Sequence, residues 1–465
     1  MRSFSMVLTA GLLCAPSLAA QVDVPRAAID SVFQRFDRVD RPGCALGVLH
    51  DGDLTYARGY GMANLDLGVA ITPQSVFRTG SLSKQFTAGA VIMLALDGTI
   101  ALDADVRDYL TELPAYARPM TVRQFVNHTS GVRDYLTLMY LAGKRDEDFY
   151  TNEEVLEMVA RQQEPNFLPG DEFLYSNSGY FLLGEIVRRA SGASLRRFSH
   201  DRIFQPLGMS HTHFHDDHTE TVAQRASGYA QRDDGTWRID MTTLDMVGDG
   251  GVFTSIEDLV LWERQLLAPR VGGAPWLAEM LRPGVLTNGD TLDYAGGLRV
   301  TTYRGLRTVD HGGAFVGFRS HGLRFPDQRA AIYVLCNFAE AQPGGYARAV
   351  ADLILADQFA APRAGDPGPA AADDADPPSV ALGARRVQEI VGTFYSAELD
   401  VEYAIAPHAG GLRLTVGPRT VGLRAVSDTT LNAAGGFVTL RLPRGRVDRF
   451  LLDAGRVKNL RFERR

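Results

Sequence analysis

The sequence predicts an α+β domain followed by a small antiparallel β-barrel, and three observations carry that prediction. Strand-like runs lie at both ends of residues 21–360 with helical segments between them, the pattern of an antiparallel sheet built from both ends of a domain and flanked by helices. Residues 361–379 are dominated by Pro, Ala, Gly and Asp without apolar periodicity, and read as a linker. Over residues 380–465 apolar and polar residues alternate steadily between Gly-rich turns, as in a closed or sandwiched antiparallel sheet.

Taken in order, residues 1–20 read as an export signal. Arg2 precedes an apolar run from Met6 to Leu13, and Pro16-Ser17-Leu18-Ala19-Ala20 offers small residues at the cut. The run is too short for a spanning helix, and Leu13 before Cys14 does not suit a lipoprotein site. An amphipathic segment covers Pro25–Phe36. Ala45–His50 and Asp53–Tyr60 alternate about Asp51-Gly52, a hairpin signal. From Ser81 a helix runs through Leu96, stopped by Gly98. Helical segments follow at Thr121–Val126, Asn152–Gln162, Tyr180–Ala190 and Ser194–Ile203. Thr254-Ser255-Ile256-Glu257 reads as a capping box opening a helix through Leu267. Strands return at Gly297–Thr302, Leu306–Asp310, Phe318–Phe325 and Ala330–Cys336, and a helix spans Ala347–Phe359. In the barrel, Val401/Tyr403/Ile405, Leu412/Leu414/Val416, Val438/Leu440/Leu442, Phe450/Leu452 and Leu460/Phe462 mark inward positions.

Composition narrows the function classes. A length of 465 residues with 45% hydrophobic and 22% charged residues suits a folded chain with more than one domain. A formal charge of −7 argues against a general nucleic-acid binder. Residues 380–465 hold 14 basic against 8 acidic side chains, a solvated surface or, alternatively, a contact for anionic envelope polymers. Cleavage would leave Cys44 and Cys336, each in an apolar run, read by default as buried free thiols. An exported chain would permit them to pair.

The chemistry starts at Ser81 and Lys84, in Phe77-Arg78-Thr79-Gly80-Ser81-Leu82-Ser83-Lys84. Lysine is scarce here, with only Lys84, Lys144 and Lys458 in the chain. Positions i and i+3 share a helix face, so the Lys84 stem covers the Ser81 hydroxyl. The helix N-terminus favours developing negative charge there, and burial can push a lysine toward its neutral, proton-accepting form. Three further segments join this pair: Tyr175-Ser176-Asn177 ahead of a helix, Gly248-Asp249-Gly250-Gly251, and His311-Gly312-Gly313-Ala314, which closes a strand and begins a glycine-rich bend. Asn127-His128-Thr129-Ser130-Gly131-Val132, Pro206-Leu207-Gly208-Met209 and Val316-Gly317-Phe318-Arg319-Ser320 complete the set.

With these motifs in this order, residues 27–357 resemble the serine hydrolases of the class C β-lactamase and penicillin-binding-protein superfamily. The resemblance implies a β-lactamase/transpeptidase-like domain, and, more loosely, a lipocalin-like barrel after the linker. It implies Ser81 as nucleophile forming an acyl-enzyme, Lys84 as its proton acceptor, and Tyr175 as partner base or leaving-group acid. Because a phenol has a pKa of about 10, adjacent cations would have to lower it for the basic role. Asn177 would position the substrate, and the backbone N–H groups of Ser81 and Ala314, beside Gly313, would form the oxyanion hole. No cofactor or metal is implied.

Where relatives that act on penicillins carry K-T-G, this chain has His311-Gly312-Gly313. A histidine in place of a permanent cation weakens the antibiotic-hydrolysis reading and favours esterase, amidase and peptidase activity. Either His311 becomes cationic over about pH 5–8 and grips a carboxylate, or it donates a neutral hydrogen bond. Arg319 is a second candidate for the missing cation, or else a strand anchor. The expected function is thus an exported, periplasmic or secreted serine hydrolase of an ester, amide or D-amino-acid-containing peptide. Its partner would be a small or short-peptide substrate, one derived from the cell envelope among the options, with no nucleic acid and no membrane span. The alternatives are a true β-lactamase or D,D-carboxypeptidase, and a penicillin-recognising sensor without turnover. A rival of another class is written in His213-Phe214-His215-Asp216-Asp217-His218, which fits the H-x-H-x-D-H pattern of zinc hydrolases with His211 before it. No apolar strand leads into it, so it is expected in a solvent-exposed loop.

Overall fold

The computed structural model describes residues 24–145, 148–360, 379–408 and 411–465. The export signal and nearly all of the linker lie outside the described residues. Among those described, no helix is long and apolar enough to cross a membrane.

A six-stranded antiparallel sheet forms the frame of the first domain, in the order Arg299–Tyr303, Leu306–Phe315, Phe318–Phe325, Ala330–Cys336, Cys44–His50, Asp53–Tyr60. Early and late strands meet in its middle, as the split pattern of apolar runs predicts. The hairpin turns at Asp51 and Gly52, with φ of 54° and 79°, the doubly left-handed turn that matches strand twist. Cys44–His50 and Ala330–Cys336 are buried almost throughout because helices cover both faces. Arg26–Phe33 and Pro343–Ile354 pack on one side through Ile29, Phe33, Ala347 and Val350. On the other, the helix Lys84–Leu96 is buried all around as far as Leu94, with Asn177–Ser191 against it.

The last helix of this domain is Pro343–Ile354 rather than Ala347–Phe359, and other readings differ as well. The helix read from Tyr180 begins at Asn177, since the small residues Ser178 and Gly179 are buried against other elements rather than left in a turn. Ser255, not Thr254, caps Ile256–Leu267 by accepting from Asp258 N, while Thr254 ends a strand. The strand from Leu306 does not stop at Asp310 but continues through the glycines to Phe315. Cys44 and Cys336 are not free thiols: they face each other across neighbouring strands and form a disulfide. Sequence spacing says nothing about that register.

After the linker, the helix Ala384–Ile390 leads into a closed eight-stranded antiparallel barrel, Gly392–Ser396 through Val457–Arg464. Its alternating positions point inward as expected, and Phe394, Tyr403, Phe450 and Phe462 fill the interior in stacked and edge contacts. The barrel docks on the first domain through Arg133, 1% exposed. Arg133 donates to Glu398 at 2.6 Å, Gln162 at 2.9 Å and the carbonyls of Lys458 and Asn459 at 3.2 Å.

Candidate active site

Ser81 sits in a 3₁₀ turn, Gly80–Ser83, that runs directly into the helix Lys84–Leu96. Gly80 takes φ 54°, and a β-carbon there would meet Ala314 N at 2.9 Å. On the facing strand, a β-carbon on Gly313 would lie 1.9 Å from Thr79 O and 3.0 Å from Ser81 N. Both glycines are therefore required for the turn and the strand to approach. Ser320 clamps the same junction by donating to Thr79 O at 2.6 Å. The approach brings the backbone N–H groups of Ser81 and Ala314 to one edge of a pocket that Ser81, Asn177, Asp249 and Ala314 help to line. Both residues line the pocket, which makes their N–H groups the candidates for the two donors an anionic oxygen would need.

Lys84 is fully buried. Its Nζ lies 3.2 Å from Ser81 Oγ, 2.9 Å from Asn177 Oδ1 and 2.5 Å from the Asp249 carbonyl. Burial pushes its pKa down to about 7, helped by Arg456 and opposed by Asp249 and Asp134. In its neutral form the amine donates to Asn177 and Asp249 and offers its lone pair to the Ser81 O–H. Asn177 is held in turn by its own N–H donating to Asp134 Oδ2 at 2.7 Å.

Tyr175 lies over Lys84, whose Nζ is 4.8 Å from the ring centroid. Its hydroxyl is buried and makes no hydrogen bond among the described residues, although it is near enough to Ser81 for that hydroxyl to favour the phenolate. Burial outweighs this and the pull of Arg456, so the phenol pKa moves up rather than down. The condition for Tyr175 as a resting base is therefore not met, and the phenol keeps its proton at rest.

His311 is not a switchable cation. It is 7% exposed, and burial takes its pKa down to about 3, with Lys84 adding to the effect. Nδ1–H donates to Gly312 O at 2.6 Å, and Nε2 accepts from the Tyr294 hydroxyl at 3.0 Å. The neutral ring packs against those of Tyr175 and Tyr294. Arg319 is the strand anchor: it donates to the carbonyls of Val316 and Phe318 at 2.7 and 2.8 Å, closing the turn after Phe315.

Two participants carried no assigned role in the sequence. Arg456, in the turn between the last two barrel strands, places its guanidinium carbon 4.6 Å from the Tyr175 centroid and Nη1 3.6 Å from Asp134 Oδ2. Its carbonyl is fixed by Asn166 Nδ2 at 2.9 Å. No local pattern distinguishes it from other turn arginines. Asp249 belongs to the segment Gly248-Asp249-Gly250-Gly251, in which the sequence assigns its carboxylate no role.

The zinc-hydrolase pattern does not assemble. His211 and His218 turn to Asp258 and Asp245, and Asp217 caps Thr219. Nor is the run an exposed loop: His213–Phe214 is a short strand and His215 is buried. His213, His215 and Glu220 do bring ligand atoms within 4.8 Å of one another and could hold a cation. However, Glu220 already forms a two-bond ion pair with Arg196.

A model of the Beta-lactamase family matches residues 29–357. The chain is 30% identical over 424 residues to a D-aminopeptidase of Cereibacter sphaeroides, covering 89% of this chain and 78% of that protein. It is 27% identical over 388 residues to a D-aminopeptidase of Gluconobacter oxydans, covering 83% and 69%. Among solved structures, the octameric penicillin-binding protein homologue from Pyrococcus abyssi superposes with a TM-score of 0.64. The two are 20% identical, with 94% of this chain and 99% of that one covered.

Proposed function

Because the chain belongs to the Beta-lactamase family and is a serine hydrolase of that superfamily, we propose that it cleaves amides or short peptides of D-amino acids through an acyl-enzyme on Ser81. The observation that carries the reading is the contact of a buried, readily neutral Lys84 with Ser81 Oγ at 3.2 Å, beside the two backbone donors. Lys84 Nζ takes the Ser81 proton as Oγ bonds to the substrate carbonyl carbon. The carbonyl oxygen, now anionic, is held by the N–H groups of Ser81 and Ala314. Tyr175, the neutral acid, gives its proton to the leaving nitrogen as the C–N bond breaks and recovers one from Lys84. Water then attacks the ester, the same groups return the proton to Ser81, and the carboxylic acid leaves.

The D-aminopeptidase relatives support the substrate class. The neutral His311 weighs against a penicillin carboxylate clamp. Export to an oxidising compartment is supported by the disulfide and by the N-terminal sequence pattern. The catalytic domain is taken as residues 21–360 and the accessory barrel as 380–465.

The test is a panel of D- and L-amino-acid p-nitroanilides, a neutral ester, a D-Ala-D-Ala peptide and a chromogenic cephalosporin, run beside fluorophosphonate labelling. Turnover of D-anilides, with labelling and turnover both lost in Ser81→Ala, is expected. Labelling that persists at its normal rate in Ser81→Ala defeats the mechanism, and preference for the cephalosporin defeats the substrate class.

A further inference from the structure

Asp249 is a carboxylate in the Ser81 pocket that the proton path does not use. It sits in a turn bounded by two left-handed glycines, Gly248 at φ 111° and Gly251 at φ 85°. Its carbonyl serves Lys84, and the residue, 6% exposed, lines the pocket with Ser81, Tyr135, Asn177 and Ala314. Oδ2 accepts from the Tyr135 hydroxyl at 3.2 Å, while Oδ1 is buried and has no hydrogen-bond partner among the described residues. A buried carboxylate oxygen without a donor is costly, and a ligand donor that completes it recovers that cost.

We propose that Asp249 binds the free α-ammonium of the residue that acylates Ser81, which makes the substrate an amide or peptide with an unblocked D-amino-acid N-terminus. This rests on the hydrolase reading above and adds the group that selects within it. An α-ammonium is one carbon away from the carbonyl that Ser81 attacks, so a single pocket must accommodate both groups. An ammonium carries three N–H donors and a charge opposite to the carboxylate, and that pairing gains strength away from water.

The same contact sets the state of the base. Around the Asp249 carboxylate stand Lys84, Arg78, Asp134, and the hydroxyls of Tyr135 and Tyr175, with Arg456 beyond the Tyr175 ring. Asp249 and Asp134 are the two groups that favour the protonated form of Lys84. A ligand ammonium on Asp249 cancels one of them. Lys84 then sheds its proton more readily when the right substrate is seated, so binding the amine favours the reactive form of the Ser81–Lys84 pair.

The experiment compares D-phenylalanine p-nitroanilide with 3-phenylpropionyl p-nitroanilide, which lacks only the amine, on the full-length protein and on Asp249→Asn and Asp249→Glu. The wild type should favour the amine substrate by about 30-fold or more in kcat/KM, Asp249→Asn should bring the ratio to within about threefold of unity, and Asp249→Glu should restore part of it. The acid limb of kcat should lie at lower pH for the amine substrate than for its partner in the wild type, and the two limbs should coincide in Asp249→Asn. A ratio that survives in Asp249→Asn, or limbs that coincide in the wild type, overturns the assignment. Should the Asn variant not fold, inhibition of the wild type decides: equal inhibition constants for D-phenylalaninamide and 3-phenylpropionamide overturn it, and tighter binding of the former upholds it. A wild type that cleaves neutral esters but no D-aminoacyl anilide instead overturns the hydrolase reading itself.

Discussion

Replacing Arg456 with Gln removes a positive charge from beside the catalytic pair without touching the reacting atoms. Arg456 Cζ and Lys84 Nζ lie 4.6 and 4.8 Å from the centroid of the same Tyr175 ring, which puts the two charges less than about 10 Å apart. At about 9 Å, an effective dielectric between about 20 and about 80 gives a repulsion of roughly 0.5–2 kcal/mol, or about 0.3–1.3 pH units on Lys84. The Arg456 side chain is 42% exposed, so screening by solvent places the effect nearer the lower end. The sign follows from the base role. Lys84 must be neutral to accept the Ser81 proton, so wild-type kcat/KM on a neutral ester should fall about tenfold per pH unit below about 7. Without Arg456 the ammonium form gains, and the midpoint of the acid limb moves up by about half a unit. Arg456→Lys should leave the midpoint close to that of the wild type. The assay is kcat/KM from about pH 5 to 9 on p-nitrophenyl butyrate, which carries no ionisable group. A midpoint unchanged in Arg456→Gln, or moved down, would show that the limb does not belong to Lys84.

Lys84→Met and Tyr175→Phe should each slow acylation by about 10²-fold or more, while the double variant should be little slower than the worse single, because both serve one proton path. Effects that multiply in burst-phase kinetics would assign one of the two a structural task. Glu398→Ala leaves Arg133 buried without its carboxylate, and should destabilise barrel docking by about 3–5 kcal/mol. Thermal unfolding should then show a lower or split transition, and the acid limb should shift upward as it does in Arg456→Gln, since the same docking brings Arg456 to the site. A single unchanged transition would mean that the barrel is held by its other contacts.

What the sequence determined by itself is whatever a local pattern can encode. The hairpin at Asp51-Gly52, the strands Phe318–Phe325 and Ala330–Cys336, the helix after Ser81 and the barrel strands all follow from two periodicities and their glycine punctuation. Ser81 and Lys84 are legible for the same reason, since three positions along one helix fix their proximity. The order of motifs also singles out Tyr175, Asn177, Gly313 and Ala314; Asn177 and Ala314 line the pocket at Ser81, Tyr175 stands over Lys84, and Gly313 lies against the backbone of Thr79. Tertiary structure alone decided the rest. The pairing of Cys44 with Cys336 depends on strand register between residues 292 positions apart. Arg456 reaches Tyr175 because a whole barrel docks on Arg133, and Asp249 meets Tyr135 and Lys84 only in the folded chain. The protonation of Lys84, Tyr175 and His311 followed burial, which removes water from around a charge. Desolvation is set by the atoms a fold gathers around a group, and those come from every part of the chain.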